Sequence, residues 1–245
     1  ARVAWPRDRA QWLHLAVTGV LMHAGYLGGV WAAVKAGMGS GLSSLIVGFQ
    51  PVLTAIWLSW SLRSSGQPGV TPRQWGGLLL GFAGLLMVVW RKLTMGSALD
   101  HVSPVNMAFA VGALFSITVG TLYQKRFVQP CDVRSANTVQ LMAAFVVTLP
   151  IAALETEAVQ WNAEMMGAMA WSVVGLTLGG SSLLYLLIQR GAAASVTSLM
   201  YLVPPTTAII AWVLFDEAIT LVTLAGIAVT AAGVSLVVRP PKIDS

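Results

Sequence analysis

The residues best suited to chemistry in this sequence are a few polar and aromatic side chains inside long apolar blocks. His23 and Tyr26 stand at helical spacing, and Trp31 follows in the same block. An imidazole and a phenol can hydrogen-bond a carboxylate or an amine, but polar groups are costly inside a bilayer unless they have a partner. The pattern indicates either reversible binding of a small solute or a hydrogen bond that joins two helices.

Prolines accompany a second group of polar residues. Gln50 directly precedes Pro51, and Tyr201 lies shortly before Pro204 and Pro205. A proline inside a helix removes one backbone hydrogen bond and clashes with the carbonyl four residues back. These positions predict either hinges beside polar substrate contacts, or fixed kinks whose freed carbonyls are satisfied by neighbouring groups.

A third block carries a polar and aromatic stripe, in which Ser182 and Tyr185 lie one helical turn apart. When Gly37 is aligned with Gly191, Trp31 aligns with Tyr185. Aromatic walls suit an apolar group of a substrate, although aromatic residues at this spacing also pack in ordinary helix interfaces. The candidate substrate-binding residues are His23, Tyr26, Trp31, Gln50, Ser182, Tyr185 and Tyr201, and the candidate hinges are Pro51, Pro204 and Pro205.

The same blocks lack the residues that covalent chemistry needs. No Asp, Glu, Lys or Arg lies near the middle of any block, and His14, His23 and His101 come without a metal-binding motif. Cys131 is the only cysteine, which excludes an internal disulfide and a cysteine metal cluster. We therefore expect no catalytic residue, no metal and no cofactor, and an intramembrane enzyme is disfavoured. His23 is the one deep group that titrates near neutral pH.

The elements that must position these residues are membrane helices. Of 245 residues, 56% are hydrophobic and 9% are charged, whereas soluble domains carry roughly 25% charged residues. The apolar residues form blocks of the length that crosses a bilayer. The sequence therefore predicts an all-α, polytopic membrane helix bundle with eight visible spans, at Trp12–Val34, Met38–Leu62, Arg73–Trp90, Val105–Tyr123, Ala136–Leu154, Met166–Ile188, Ala192–Phe215 and Leu221–Val238.

Basic residues set the predicted orientation. With the N-terminus inside, eleven of the 14 Lys and Arg residues fall on the cytoplasmic side, as the positive-inside rule requires. The formal net charge is +5, but the basic residues are scattered between spans and form no stripe that would bind nucleic acid. We predict a multi-pass protein of the cytoplasmic (inner) membrane of a bacterium, with a cytoplasmic C-terminus.

An internal repeat relates the two parts of the chain. The pattern Pro-x-x-Thr-Ala-Ile begins at Pro51 in the second span and at Pro204 in the seventh. The third span aligns with the eighth without gaps, Thr71–Val89 on Thr220–Val238. The copies are five spans apart, and an odd number gives them opposite directions in the membrane. Such an inverted repeat is typical of secondary transporters.

The repeat leaves its first copy incomplete. Residues 1–103 hold only the last three spans of the first inverted repeat, whereas residues 104–245 hold all five spans of the second. We expect the first two spans to be missing before Ala1, either from a longer protein or from a natural eight-span protein that lost them. The paired spans also carry small-residue pairs, which predict close helix packing or support for a homodimer: Gly77 with Gly81, and Gly226 with Thr230.

The spans, the five-plus-five inversion and the repeated proline resemble the drug/metabolite transporter (DMT) superfamily, in particular EamA-type transporters. The run from Tyr201 to Glu217, with its two prolines and terminal Asp-Glu, is similar to the proline-to-glutamate run of that family, and Gly226 and Gly233 follow it. In the first copy, Ser64 stands where the family often has the glutamate. The resemblance implies a central cavity between the inverted halves, lined here by the first, second, sixth and seventh spans, with access alternating between the membrane faces.

The predicted function is secondary transport of a small metabolite, an amino acid or a related compound, across the cytoplasmic membrane, with export favoured. The expected partners are the lipid bilayer and a small-molecule substrate, and no nucleic acid. A membrane channel or a non-transport membrane subunit is the alternative. Channels usually show filter loops or charged rings, which this sequence lacks, and a non-transport subunit has no need for matched prolines in an inverted repeat.

Overall fold

Eight helical elements follow the order of the predicted spans. The computed structural model describes residues 4–63, 69–94, 102–157, 159–191, 193–203, 205–206, 209–210, 213 and 220–238. Its helices are α1 (Arg9–Lys35), α2 (two segments, Ser40–Val47 and Gln50–Arg63), α3 (Pro72–Thr94), α4 (Pro104–Phe127), α5 (Val133–Ala153), α6 (Ala163–Arg190), a short α7 (Ala193–Ser198) continued by a 3-10 turn (Leu199–Leu202), and α8 (Leu221–Val238).

Seven helices in the described part of the chain are long and apolar enough to cross a membrane. An all-α polytopic protein is therefore confirmed, while the predicted seventh span, 192–215, lies partly outside the described residues. Helix α4 continues to Phe127, past the predicted end at Tyr123, and α5 begins at Val133, before the predicted start at Ala136. The backbone hydrogen bonds of an α-helix form within the helix itself and do not require apolar side chains. Helix α4 can therefore continue past its apolar block into exposed residues such as Lys125.

Two helices contain π-helical stretches, which the sequence did not predict. The stretch in α1 is Val20–Leu27, and the stretch in α6 is Trp171–Gly180. In α6 the Thr177 hydroxyl donates to the carbonyl of Ser172, five residues earlier, at 2.9 Å. A π-helix makes i to i+5 bonds and has a wider turn than an α-helix. The α-helical spacing that placed His23 and Tyr26 on one face therefore does not apply to the Val20–Leu27 stretch of α1.

The chain forms two compact units. The first contains residues 1–25 and 119–191, and the second contains residues 26–118 and 192–245. The two units are defined by contacts in the fold, whereas the repeat is defined by the sequence alignment. The units therefore do not test the repeat boundary between residues 103 and 104, which stays a prediction.

The core of the first unit joins α1, α5 and α6. Buried Leu15, Ala136, Val139 and Tyr185 pack together with Val128. Glycine lets α1 reach α5: a Cβ added to Gly19 would lie 2.5 Å from the Cα of Gln140 and 2.6 Å from its carbonyl carbon. A side chain at residue 19 would therefore push the two backbones apart.

The main contact of the second unit is between α3 and α8, where glycines meet in reciprocal pairs. A Cβ at Gly77 would lie 2.7 Å from the carbonyl oxygen of Gly233, and one at Gly233 would lie 2.6 Å from the carbonyl oxygen of Gly77. Gly84 and Gly226 meet in the same way, at 2.7 and 2.8 Å. The predicted packing role of the small residues in these spans is confirmed. Residue numbers rise along α3 as they fall along α8, so the helices run antiparallel.

An aspartate caps the first turn of α5. Asp132 Oδ1 accepts from the backbone N–H of Arg134 at 2.9 Å, which satisfies a donor that the helix leaves unpaired. The Arg134 guanidinium also donates to Oδ1 at 3.2 Å and to Oδ2 at 2.9 Å. These hydrogen bonds lower the pKa of Asp132 from 3.8 to about 2.

We expect Asp132 to contribute stability that depends on acid pH. A folded pKa below the unfolded value means that the contribution is complete above pH 3.8 and is lost as the pH falls toward about 2. Acid titration of thermal unfolding for wild type and Asp132→Asn should show curves that converge in this window. Because the pair is exposed, the difference should shrink in high salt. Parallel curves over the whole window would contradict this role.

Candidate functional site

Three buried carboxamides form the centre of a polar site in the first unit. Asn137 and Gln140 lie one turn apart on α5, and Gln124 lies on α4; their exposed fractions are 5%, 3% and 1%. The Nε2 of Gln140 donates to the Oε1 of Gln124 at 3.3 Å. This bond is longer than the usual separation of about 2.9–3.0 Å, and is correspondingly weak. We call these three residues the amide cluster.

Helix α1 brings an imidazole to the amide cluster. The side chain of His23, in the π-helical stretch, hydrogen-bonds Gln140. The close approach at Gly19, on the preceding turn, holds α1 against the α5 backbone at this level. His23, a predicted binding residue, is half-buried and contacts the buried amide cluster.

Helix α6 contributes a carbonyl and a hydroxyl to the amide cluster. The Nδ2 of Asn137 donates to the Thr177 carbonyl at 3.2 Å and to the Ser182 Oγ at 3.3 Å. Thr177 lies in the π-helical stretch of α6. The two predicted residues His23 and Ser182 are thus connected through Gln140 and Asn137, which are neighbours on α5.

Two atoms of the amide cluster are buried and have no hydrogen-bond partner among the described residues. One is a donor, Nε2 of Gln124, and the other is an acceptor, Oδ1 of Asn137. A buried polar atom without a partner costs about 1–3 kcal/mol. The cluster can therefore give one hydrogen bond and accept another, and its side chains carry no formal charge when His23 is neutral. Within the described ranges, no group of three or more His, Cys, Asp or Glu side chains is placed so that it could hold a metal ion.

Tyr185 lies in the apolar core of the first unit. Its exposed fraction is 2%, and its hydroxyl lies 3.1 Å from the Sγ of Cys131. Cys131 also accepts weakly from Nε2 of Gln11 at 3.8 Å. Its predicted place in an aromatic substrate wall stays a prediction.

The other predicted aromatic residues belong to the second unit and differ in exposure. Trp31 is 71% exposed, Tyr26 is half-buried, and Tyr201 is only 1% exposed. The Tyr201 ring packs on α3, where a Cβ added to Gly81 would lie 2.7 Å from its Cδ2. Its hydroxyl is buried and has no partner among the described residues.

Among the candidate hinges, Pro51 lies just after a helix interruption. Helix α2 is broken at Gly48 and Phe49, and Pro51 follows in the first turn of its second segment, beside the buried Gln50. A missing N–H is tolerated at such a position, because the first turn has no acceptor for it. Pro205 is buried, whereas Pro204 lies outside the described residues. The hinge assignments remain predictions.

Sequence reasoning missed Gln124, Asn137 and Gln140. They lie at the ends of two consecutive spans, where polar side chains are expected to reach water. The signal that could have found them is three carboxamides at facing ends of neighbouring helices, since a polar side chain buried between helices needs a partner.

Comparison with known proteins identifies the family. The profile of the EamA-like transporter family matches residues 105–239, more than half of the chain. The chain belongs to the EamA-like transporter family. It is 30% identical over 203 residues to the uncharacterized transporter YvbV of Bacillus subtilis (strain 168). The aligned region covers 81% of this chain and 63% of YvbV. The chain therefore spans less than two thirds of the length of that relative.

The fold of this EamA-like transporter is also found among solved structures. One protein of known crystal structure matches with a TM-score of 0.70 over 96% of this chain and 76% of the other, at 17% identity. The resemblance of the sequence to EamA-type transporters is confirmed. The region matched by the family profile contains the α4, α5 and α6 residues of the polar site.

Proposed function

We propose that this protein is a secondary transporter that exports a small metabolite, an amino acid or a related compound, across the cytoplasmic membrane of a bacterium by alternating access. The observation that carries the mechanism is the reciprocal contact of α3 and α8. The sequence alignment pairs Gly77 with Gly226 and Gly84 with Gly233. In the fold, Gly77 meets Gly233 and Gly84 meets Gly226. Such an exchange of partners is what a two-fold axis between the copies produces, and it supports an inverted repeat.

The direction of α8 supports an eighth crossing. Helices α3 and α8 are antiparallel, so an even number of crossings must separate them along the chain. Helices α4, α5 and α6 supply three candidate crossings. The seventh span predicted from the sequence would be the fourth, so the antiparallel direction of α3 and α8 agrees with the prediction of eight spans. Inverted repeats of this kind allow the two copies to rock around a central site.

Export and substrate class are tested by resistance. The gene, at its natural length, is expressed in bacteria that are challenged with a panel of toxic amino-acid and nucleobase analogues. We expect resistance to one chemical class, with a lower intracellular concentration of that analogue than in cells with an empty plasmid. Unchanged accumulation across the panel would contradict export of these compounds.

Alternating access is tested by exchange. Proteoliposomes that contain the purified protein are preloaded with unlabelled substrate before labelled substrate is added outside. A carrier that alternates its access should take up labelled substrate faster when the vesicles are preloaded. Its binding site can then carry unlabelled substrate on the return to the outer face. A channel gives no such acceleration, so equal rates would favour the channel alternative.

A further inference from the structure

Two repeat-equivalent positions meet the amide cluster. When Gly37 is aligned with Gly191, as in the sequence comparison, His23 aligns with Thr177. His23 contacts Gln140, and the Thr177 carbonyl contacts Asn137, one turn away on α5. Both positions lie in π-helical stretches, and such stretches are frequent at functional sites. If the buried amides served only packing, there would be no reason for a π-helical backbone at the matched positions of both copies.

The unpartnered atoms define what the cluster lacks. Nε2 of Gln124 needs an acceptor, and Oδ1 of Asn137 needs a donor. Both side chains are more than nine-tenths buried. The complementary group must therefore carry an acceptor and a donor and must reach a dehydrated site. The long Gln140 to Gln124 bond of 3.3 Å is a weak contact that such a group can replace.

Charge excludes an ionised end group from this cluster. The nearest cation along α4, Lys125, is exposed and donates to the Gln189 carbonyl at 2.9 Å. Arg134 and Asp132 are paired with each other at 2.9 Å. When His23 is neutral, the amide cluster and the groups bonded to it carry no formal charge that would neutralise a carboxylate, and an unpaired charge in a dehydrated site is strongly disfavoured.

We propose that the amide cluster with His23 binds an uncharged, hydrogen-bonding end group of the substrate, and that this group is a carboxamide. A carboxamide oxygen accepts from Nε2 of Gln124, and its NH₂ donates to Oδ1 of Asn137. The isosteric carboxylate lacks the donor and carries a charge. This assignment rests on the proposed transport function and narrows its substrate class to compounds such as glutamine and asparagine.

The test compares isosteric substrates in proteoliposomes that contain the purified protein. Uptake of labelled glutamine is competed with unlabelled asparagine, glutamate and aspartate. We expect the carboxamides to compete at concentrations at least about tenfold lower than their carboxylate counterparts, the discrimination of one buried hydrogen bond. Transport of amino acids without this preference would overturn the carboxamide site and leave the proposed function standing. Absence of any transported amino acid or analogue would overturn both.

A near-isosteric variant separates binding from packing. Asn137→Leu keeps the side-chain volume and removes Oδ1, the acceptor that favours a carboxamide NH₂ over a carboxylate oxygen. We expect it to reduce the preference for carboxamide over carboxylate by about tenfold. The exposed Gln129 is changed to leucine as a control and should keep the wild-type ratio. A ratio of inhibitory concentrations does not depend on the amount of folded protein, so an unchanged ratio in Asn137→Leu would show that the cluster serves packing alone.

Discussion

Alanine in place of Gly84 is expected to destabilise the protein by about 3 kcal/mol, the upper range for overpacking of a close contact. A methyl group there would collide with the Thr230 hydroxyl. It would also lie 2.5 Å from the Thr230 backbone nitrogen and 2.7 Å from the Gly226 carbonyl oxygen. Backbone atoms cannot move aside without separating α3 from α8. Thermal unfolding in detergent measures the loss.

Gly76 on the same helix is the matched control for Gly84. A Cβ at Gly76 meets nothing within 4 Å among the described residues. Alanine also favours the helix over glycine by about 1 kcal/mol at either position. Gly76→Ala should therefore be neutral or stabilising, and the difference between the variants isolates the steric contact. Equal unfolding temperatures for Gly76→Ala and Gly84→Ala would contradict the observed packing of α3 on α8.

The second large effect concerns Tyr201, for which truncation and removal of the hydroxyl should differ sharply. Tyr201 is 1% exposed and packs with Ala55, Leu78 and Val234. Tyr201→Ala removes the buried ring and should cost about 3–5 kcal/mol through lost contacts and the remaining cavity. Tyr201→Phe removes only a hydroxyl that has no partner among the described residues, so stability should be unchanged or higher. Thermal unfolding of both variants provides the measurement.

The same pair of variants tests the predicted substrate role of Tyr201. If the hydroxyl contacts substrate, Tyr201→Phe should raise the substrate concentration needed for half-maximal transport while unfolding stays unchanged. If the ring only packs against Gly81, Tyr201→Phe should transport normally, and Tyr201→Ala should lose transport together with folded protein. Loss of transport in Tyr201→Ala with wild-type stability would contradict the packing role.

The two glycine pairs also connect stability with mechanism. Because α3 and α8 are held backbone to backbone, they form a rigid pair, whereas α2 is interrupted at Gly48 and Phe49. Close glycine contacts maximise dispersion between helices that gain no hydrophobic effect from association inside a bilayer. We therefore expect movement in the proposed transport cycle to occur in the interrupted helices rather than between α3 and α8.

The sequence by itself determined the class of protein and much of its architecture. Runs such as Leu221–Val238 are apolar on every side, and their transfer into a bilayer depends on composition alone, so seven of the spans were predictable. The packing role of the glycines in α3 and α8 was also readable, because only residues without a side chain let two backbones approach so closely. The family followed from the order of spans and the proline-containing run.

The tertiary structure decided the polar site. The amide cluster depends on which faces of α4 and α5 turn inward, and that choice depends on contacts between residues far apart in the chain, such as Gly19 with Gln140. The π-helical winding at His23 and Thr177 likewise has no α-helical signature in sequence, since it arises where local side-chain bonds and packing favour a wider turn. Composition sets which segments enter the membrane, whereas packing between them sets which polar atoms are left without a partner.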